Sequence, residues 1–171
     1  MLGKSVVITG GTGALGTAVV VAVLGRNARV TLTYMDDEER ATLESSLSAS
    51  ERASITFVKA NLRDESEVKA LVEDLPRIDV LLHLVGSFKE GPTADFSVED
   101  FNEQIETNLK TTFLMCRAVL PMMLRAGYGR IVTIASREAV SPSRGLPSMR
   151  LLKPGSSPSR KPSLEKRTAM T

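Results

Sequence analysis

The amino-acid sequence predicts a doubly wound α/β protein with a Rossmann-like parallel sheet. Three observations carry this. Short β-branched runs alternate with helical patterns, each run is nearly continuous in apolar residues, and a glycine cluster joins the first run to the first helix. Unbroken apolar runs are expected where helices cover both faces of a parallel sheet, because neither side of a strand meets water. Strands and helices in alternation with short connections are the pattern of crossover units.

The strands are expected at Ser5–Thr9, Arg29–Tyr34, Ser54–Lys59, Asp79–Val85 and Arg130–Ala135. Helices are expected at Ala14–Gly25, Asp37–Ser48, Glu65–Leu75 and Val98–Ala126. The first helix follows directly on the glycine cluster. The third and fourth carry start signals: Asp64 with Glu67, and Ser97 with Asp100, each pair an acceptor at the cap and an acid in the first turn, near the positive dipole end. No internal repeat is apparent.

At 171 residues the chain has room for one ordinary domain and one hydrophobic core. Charges nearly balance at +2, which implies no strong pull toward nucleic acid or an acidic membrane surface. The stretch after Met149 is basic, but it lacks the aromatics and regular spacing of a nucleic-acid arm. Cys116 is the single cysteine, so there is no internal disulfide and the chain suits a reducing compartment. It lies in an apolar helical pattern, as a small core residue. Met1–Ser5 is too short to hold a signal peptide, and no apolar run approaches the ~20 residues that span a bilayer. A cytoplasmic protein is expected, with no membrane or nucleic-acid partner and no metal.

The chemistry is concentrated in "VVITGGTGALG", Val6 to Gly16. Gly11-Thr12-Gly13-Ala14-Leu15-Gly16 fits G-x-G-x-x-G with a strand before it and a helix after it, the context that makes the motif meaningful. Glycine there permits positive φ and close backbone approach to a pyrophosphate, and the helix aims free N–H groups at the same anion. The plain alternative is a glycine-rich turn without a ligand. A P-loop is excluded, since no Gly-Lys-Ser/Thr follows. At the end of the second strand, where an acid usually binds the adenosine ribose, the chain reads Tyr34-Met35-Asp36-Asp37. Tyr34 stands at the expected position, and Asp36 is equally a solvated helix-start residue. No Arg or Lys is placed to select a 2′-phosphate, so NAD and NADP both stay open.

The ordered set of motifs resembles the short-chain dehydrogenase/reductase family over roughly residues 3 to 148. "TGGTGALG" is similar to its T-G-x-x-G-x-x-G cofactor turn. "IDVLLHLVG" (Ile78–Gly86) is similar to the strand that usually ends in N-N-A-G, from which His83-Leu84-Val85-Gly86 departs. "ETNLKTTFLMCRAVLPMM" resembles the helix whose asparagine, here Asn108, belongs to the catalytic set, and "GRIVTIAS" the strand that delivers the catalytic serine, here Ser136. The resemblance implies hydride exchange between NAD or NADP and a small carbonyl or alcohol. It implies cofactor contacts from Thr9, Gly10, Gly11, Gly13, Ala14, Leu15, Gly16, Tyr34, Asn61, Leu62, His83, Val85 and Gly86. Asn61 matches a position more often aspartate, beside the adenine. His83, the single histidine, reads as a pocket wall or hydrogen-bonded structural group rather than a proton donor. Asn108 inside a helix is costly unless its side chain has a task, and Ser136 at a strand's carboxyl end sits where open α/β sheets place ligands; a solvated face and a plain turn are the competing readings. Complete members bury the long helix in a subunit interface, so a homo-oligomer is expected of them.

The family's general acid is a tyrosine about thirteen residues after the serine, with a lysine one helical turn later. Here those slots hold Met149 and Lys153. Methionine cannot exchange the proton, and Pro154 and Gly155 break the helix that should continue. The domain is therefore expected at 1–148, followed by a basic Ser/Pro-rich tail, 149–171, of a composition that does not sustain a core. Against the family's pattern the parallel sheet is thus expected to be incomplete on its C-terminal side, and a shifted reading frame would account for the change. The codons permitted from Met149 to Leu164, read one base earlier, admit "YAASKAGLxALTEALA", a tyrosine–lysine helix. The expectation is an oxidoreductase by descent that is inactive as written, or else a non-catalytic nucleotide-binding or interaction module.

Overall fold

The computed structural model describes residues 1–89 and 91–136. Met149, Lys153 and the tail lie outside the described residues.

Five parallel strands, β1 (Ser5–Thr9), β2 (Arg29–Tyr34), β3 (Ile55–Lys59), β4 (Val80–His83) and β5 (Arg130–Thr133), form one sheet in the order β3-β2-β1-β4-β5. β1 is central, and strand order reverses between β1 and β4. The helices are α1 (Ala14–Leu24), α2 (Asp37–Ser46), α3 (Ala49–Arg52), α4 (Glu65–Glu73), α5 (Val98–Gln104) and α6 (Thr111–Arg125). Alternate residues of β1 point to opposite faces, and two cores result. Val6 and Ile8 pack with Val20, Leu32 and Leu43 under α1 and α2. Val7 packs with Leu81, Val68, Leu114 and Met115 under α4 and α6. Burial of each such side chain contributes roughly 1.5–3 kcal/mol, which explains why strands that are apolar on both sides form the centre.

Every predicted strand and helix is present, several of them shorter by one or two residues at an end. β4 and β5 end at His83 and Thr133 rather than Val85 and Ala135, and after β4 the chain leaves the sheet to line a cleft. The second helix stops at Ser46, and a separate turn of helix, α3, follows. Ser48 caps α3 in a reciprocal box with Glu51. The helix expected over Val98–Ala126 is not continuous: a π-helical turn, Ile105–Lys110, separates α5 from α6. The cause is local. Asn108 Nδ2 donates to the Gln104 carbonyl at 3.0 Å, Thr111 Oγ1 to the Thr107 carbonyl at 2.6 Å, and Thr112 Oγ1 to the Asn108 carbonyl at 2.7 Å. Side chains occupy carbonyls that N–H groups four residues on would otherwise use, and the backbone widens.

Both predicted start signals form. Asp64 accepts from the N–H groups of Ser66 and Glu67, and Ser97 and Asp100 form a capping box. Among the described residues, no helix is long and apolar enough to cross a membrane.

Candidate dinucleotide cleft

At the carboxyl ends of β1, β2, β3 and β4 lies a cleft of about 600 Å³. Its floor is the glycine turn. Gly10 has φ +70°, open to glycine at little cost, and a Cβ there would lie 2.9 Å from Val85 N, in the turn after β4. Gly13 is different: an added Cβ finds nothing closer than the Gly10 carbonyl at 3.7 Å. Gly13 faces open space and lines the cleft. Gly11 and Gly16 face inward. A Cβ on Gly11 would strike Leu32 at 2.6 Å, and one on Gly16 would sit 2.2 Å from the Gly10 carbonyl. Two glycines thus let α1 pack against β1, while a third leaves room for a ligand.

The amino end of α1 is left open. Gly13 caps it without a side-chain hydrogen bond, and no acid lies in its first turn. α2, α4 and α5, by contrast, are capped by Asp36, Asp64 and Ser97 and carry acids there. The free N–H groups and positive dipole end of α1 therefore remain available to an anion.

Of the other predicted contacts, Tyr34, Asn61, Leu62, Val85 and Gly86 line the cleft. Thr9 and His83 sit buried behind it, joined by a hydrogen bond. Ala14 borders a neighbouring groove with Thr12 and Gly13, and Leu15 is exposed. Asp36 lines the rim of the cleft and also caps α2. The N–H groups of Glu39 and Glu38 donate to its carboxylate and hold it below the usual carboxylate range. Asn61 Oδ1 accepts from the Arg63 N–H at 3.1 Å.

Asn108 is buried and clamps the chain after β4. Its Oδ1 accepts from Ser87 N–H at 3.1 Å and its Nδ2 donates to the Ser87 carbonyl at 3.0 Å, while Gln104 Nε2 donates to Ser87 Oγ at 3.0 Å. Ser136 is buried three residues beyond β5, on the same carboxyl edge as His83, whose partner across the ladder is Thr133. Several residues bordering the cleft were not singled out by sequence: Thr12, whose hydroxyl donates to Glu39 at 2.7 Å, Arg63, Thr107 and Thr111. Arg63 Nη2 donates to Thr107 Oγ1. For Thr107 and Thr111 the available signal was the polar string "ETNLKTT" ahead of the apolar run of α6. A groove of about 450 Å³ between α4 and α6 lies away from the glycine turn, with walls of Val68, Val72, Leu114 and Met122. It meets none of the predicted residues.

The family model described as short chain dehydrogenase matches residues 4–148. The chain belongs to this family. A D-threitol dehydrogenase of Mycolicibacterium smegmatis is 31% identical over 141 residues, covering 80% of this chain and 54% of that protein. A 2-dehydro-3-deoxy-L-rhamnonate dehydrogenase (NAD(+)) of a Sphingomonas species is 30% identical over 139 residues, covering 78% and 54%. The solved structure of ElxO with NADP bound superposes with a TM-score of 0.77 at 27% identity, covering 85% of this chain and 60% of that one. The chain thus spans about half the length of the curated relatives it matches. The relatives are named as dehydrogenases, and the fold they share with this chain is Rossmann-like.

Proposed function

We propose that this chain binds a nicotinamide dinucleotide in the cleft over Gly10 and Gly13 and derives from an enzyme that interconverts a small secondary alcohol and its carbonyl. The observation that carries the reading is the uncapped amino end of α1, opening onto space that a Cβ on Gly13 would begin to fill. When bound, the nicotinamide supplies the hydride. The residues of this chain bind and orient. Backbone N–H groups at Gly13 and the first turn of α1 hold the diphosphate, and Tyr34, Asp36 and Asn61 border the adenosine end. Asn108 orders the turn after β4, and Ser136 orients the substrate oxygen.

The adenosine end favours NAD over NADP. Asp36 and Glu39 bring negative charge to the rim, and a 2′-phosphate would add to it at close range. Three nearby cations are already engaged: Arg40 with Glu44 at 2.6 Å, Lys59 with Asp37, and Arg63, which lines the cleft, with Thr107 and with Glu103 at 3.6 Å.

Proton transfer is the missing step. With Met149 in the tyrosine slot, no phenol is present there to exchange the proton, so the chain as written binds cofactor without turnover. This favours the binding-module reading for this chain and the oxidoreductase reading for its relatives. The same proposal includes a cytoplasmic setting, and homo-oligomers in complete members, for which the exposed Phe113, Leu120 and Leu124 on α6 supply an apolar face.

Titrating the chain with NADH and NADPH by fluorescence tests the binding. Saturable NADH binding supports the reading, and no binding at millimolar cofactor defeats it. Sequencing the gene across codon 149 tests the frame, and reduction of any carbonyl by the purified chain would contradict the expected inactivity. Met149→Tyr alone should not restore turnover, because the sequence after it, with Pro154 and Gly155, does not favour a helix.

A further inference from the structure

His83 is the single histidine of the chain, and it is buried behind the cleft rather than among the residues that line it. It is 1% exposed at the end of β4, and its two ring nitrogens face two hydroxyls from different elements. Nδ1 lies 2.7 Å from Thr9 Oγ1, at the end of β1 where the glycine turn begins. Nε2 lies 3.1 Å from Thr111 Oγ1, at the start of α6. Thr9 and Thr111 are themselves buried.

The direction of these bonds follows from the last link. Thr111 Oγ1 donates to the Thr107 carbonyl at 2.6 Å, and a carbonyl can only accept. The Thr111 hydrogen is thereby used, so its oxygen accepts from His83, and Nε2 must carry a proton. In a neutral ring Nδ1 is then the acceptor, and the Thr9 hydroxyl donates to it. Both ring nitrogens of His83 have their complement, and the order of donors runs one way, from Thr9 through His83 and Thr111 to the backbone of the π-helical turn.

We propose that His83 is a positioning residue, held as the neutral Nε2–H tautomer, which ties the root of the glycine turn to the π-helical turn and so sets the width of the cleft between them. The ring spans two hydroxyls that a shorter side chain could not reach together. Thr111 and Thr107 line the cleft on one side and Gly10 lines it on the other, so the two ends of the relay carry opposite walls. Burial alone pushes the imidazole down to about 4, which agrees with a ring kept neutral.

The tautomer part of this inference stands without the dinucleotide reading, whereas the effect on binding rests on it. Because there is one histidine, 15N-histidine labelling of the full chain reports this ring and no other. The expected spectrum shows a protonated Nε2 and an unprotonated Nδ1, unchanged on acidification until about pH 4. An Nδ1–H ring, or titration near the ordinary 6.5, overturns the proposal whether or not NADH binds. In His83→Leu, Thr9 and Thr111 lose a buried partner, and NADH affinity should fall roughly tenfold, with His83→Gln, which keeps a donor toward Thr111, recovering part of it. If a folded His83→Leu binds NADH as tightly as the unaltered chain, the positioning role is wrong. If His83→Leu does not fold, the Gln variant and the wild-type spectrum still decide. Wild-type chain that shows the Nε2–H ring but no NADH binding would defeat the cofactor reading and leave the relay intact.

Discussion

The carboxamide of Asn108 brackets the backbone of Ser87, accepting from its N–H at 3.1 Å and donating to its carbonyl at 3.0 Å. The π-helical turn presents Asn108 there, and the same Nδ2 also reaches the Gln104 carbonyl. Asn108→Ala would leave these buried groups without partners. We expect a loss of about 1–3 kcal/mol of unfolding free energy in urea. Asn108→Asp would place a carboxylate oxygen against the Ser87 and Gln104 carbonyls and should destabilise at least as much as alanine.

Two glycines of one turn should respond to alanine in opposite ways. In Gly16→Ala the new Cβ meets the Gly10 carbonyl at 2.2 Å, backbone against backbone, so the turn must shift. Melting temperature and NADH binding should both fall. In Gly13→Ala the Cβ enters open space, so melting should hardly change while NADH binding weakens. Equal effects on both readouts for the two variants would remove Gly13 from the ligand's path.

Charge at the rim should set the choice of cofactor. NADH is expected to bind more tightly than NADPH. Asp36→Asn keeps a good cap for α2 while removing charge, and Glu39→Gln removes another. Together they should narrow the NADH preference several-fold, most visibly at low salt. Fluorescence titrations of both cofactors on the double variant check this.

Acid should weaken the fold in two separate windows. His83 has its folded value pushed down to about 4 from 6.5, so the unfolded chain binds the proton more readily. Its contribution is complete above 6.5 and is lost as pH falls toward 4, a decline on the order of 3 kcal/mol. Asp79 acts lower. Burial raises its carboxyl, but Arg77 at 2.6 Å and the Ser5 N–H at 2.9 Å outweigh that and hold it below 3.8. Its contribution is present above 3.8 and disappears as pH falls through its lower folded value. Urea melts between pH 7 and 4.5 should show the first window in the unaltered chain and lack it in His83→Gln.

Much of the architecture was legible because it depends on local pattern. β1 to β5 announce themselves as apolar runs, the caps at Asp64 and Ser97 as short spacings, and the glycine turn as a strand-to-helix motif. The helix interruption was not legible, since "ETNLKTT" continues a helical pattern and only the i−4 side-chain bonds of Asn108, Thr111 and Thr112 show where the backbone widens. Asp36 was left between ribose contact and helix start; its carboxylate caps α2 from the rim of the cleft.

The sequence by itself determined the class of fold, the family and the position of the glycine turn, because these rest on periodicity and on residues close together in the chain. Only the tertiary structure decided that Gly13 faces the cleft while Gly11 and Gly16 face inward, and that His83 joins Thr9 to Thr111. Those relations link residues up to 74 positions apart. The packing of β1 against β4 and α6 brings them together, and no spacing along the chain encodes it.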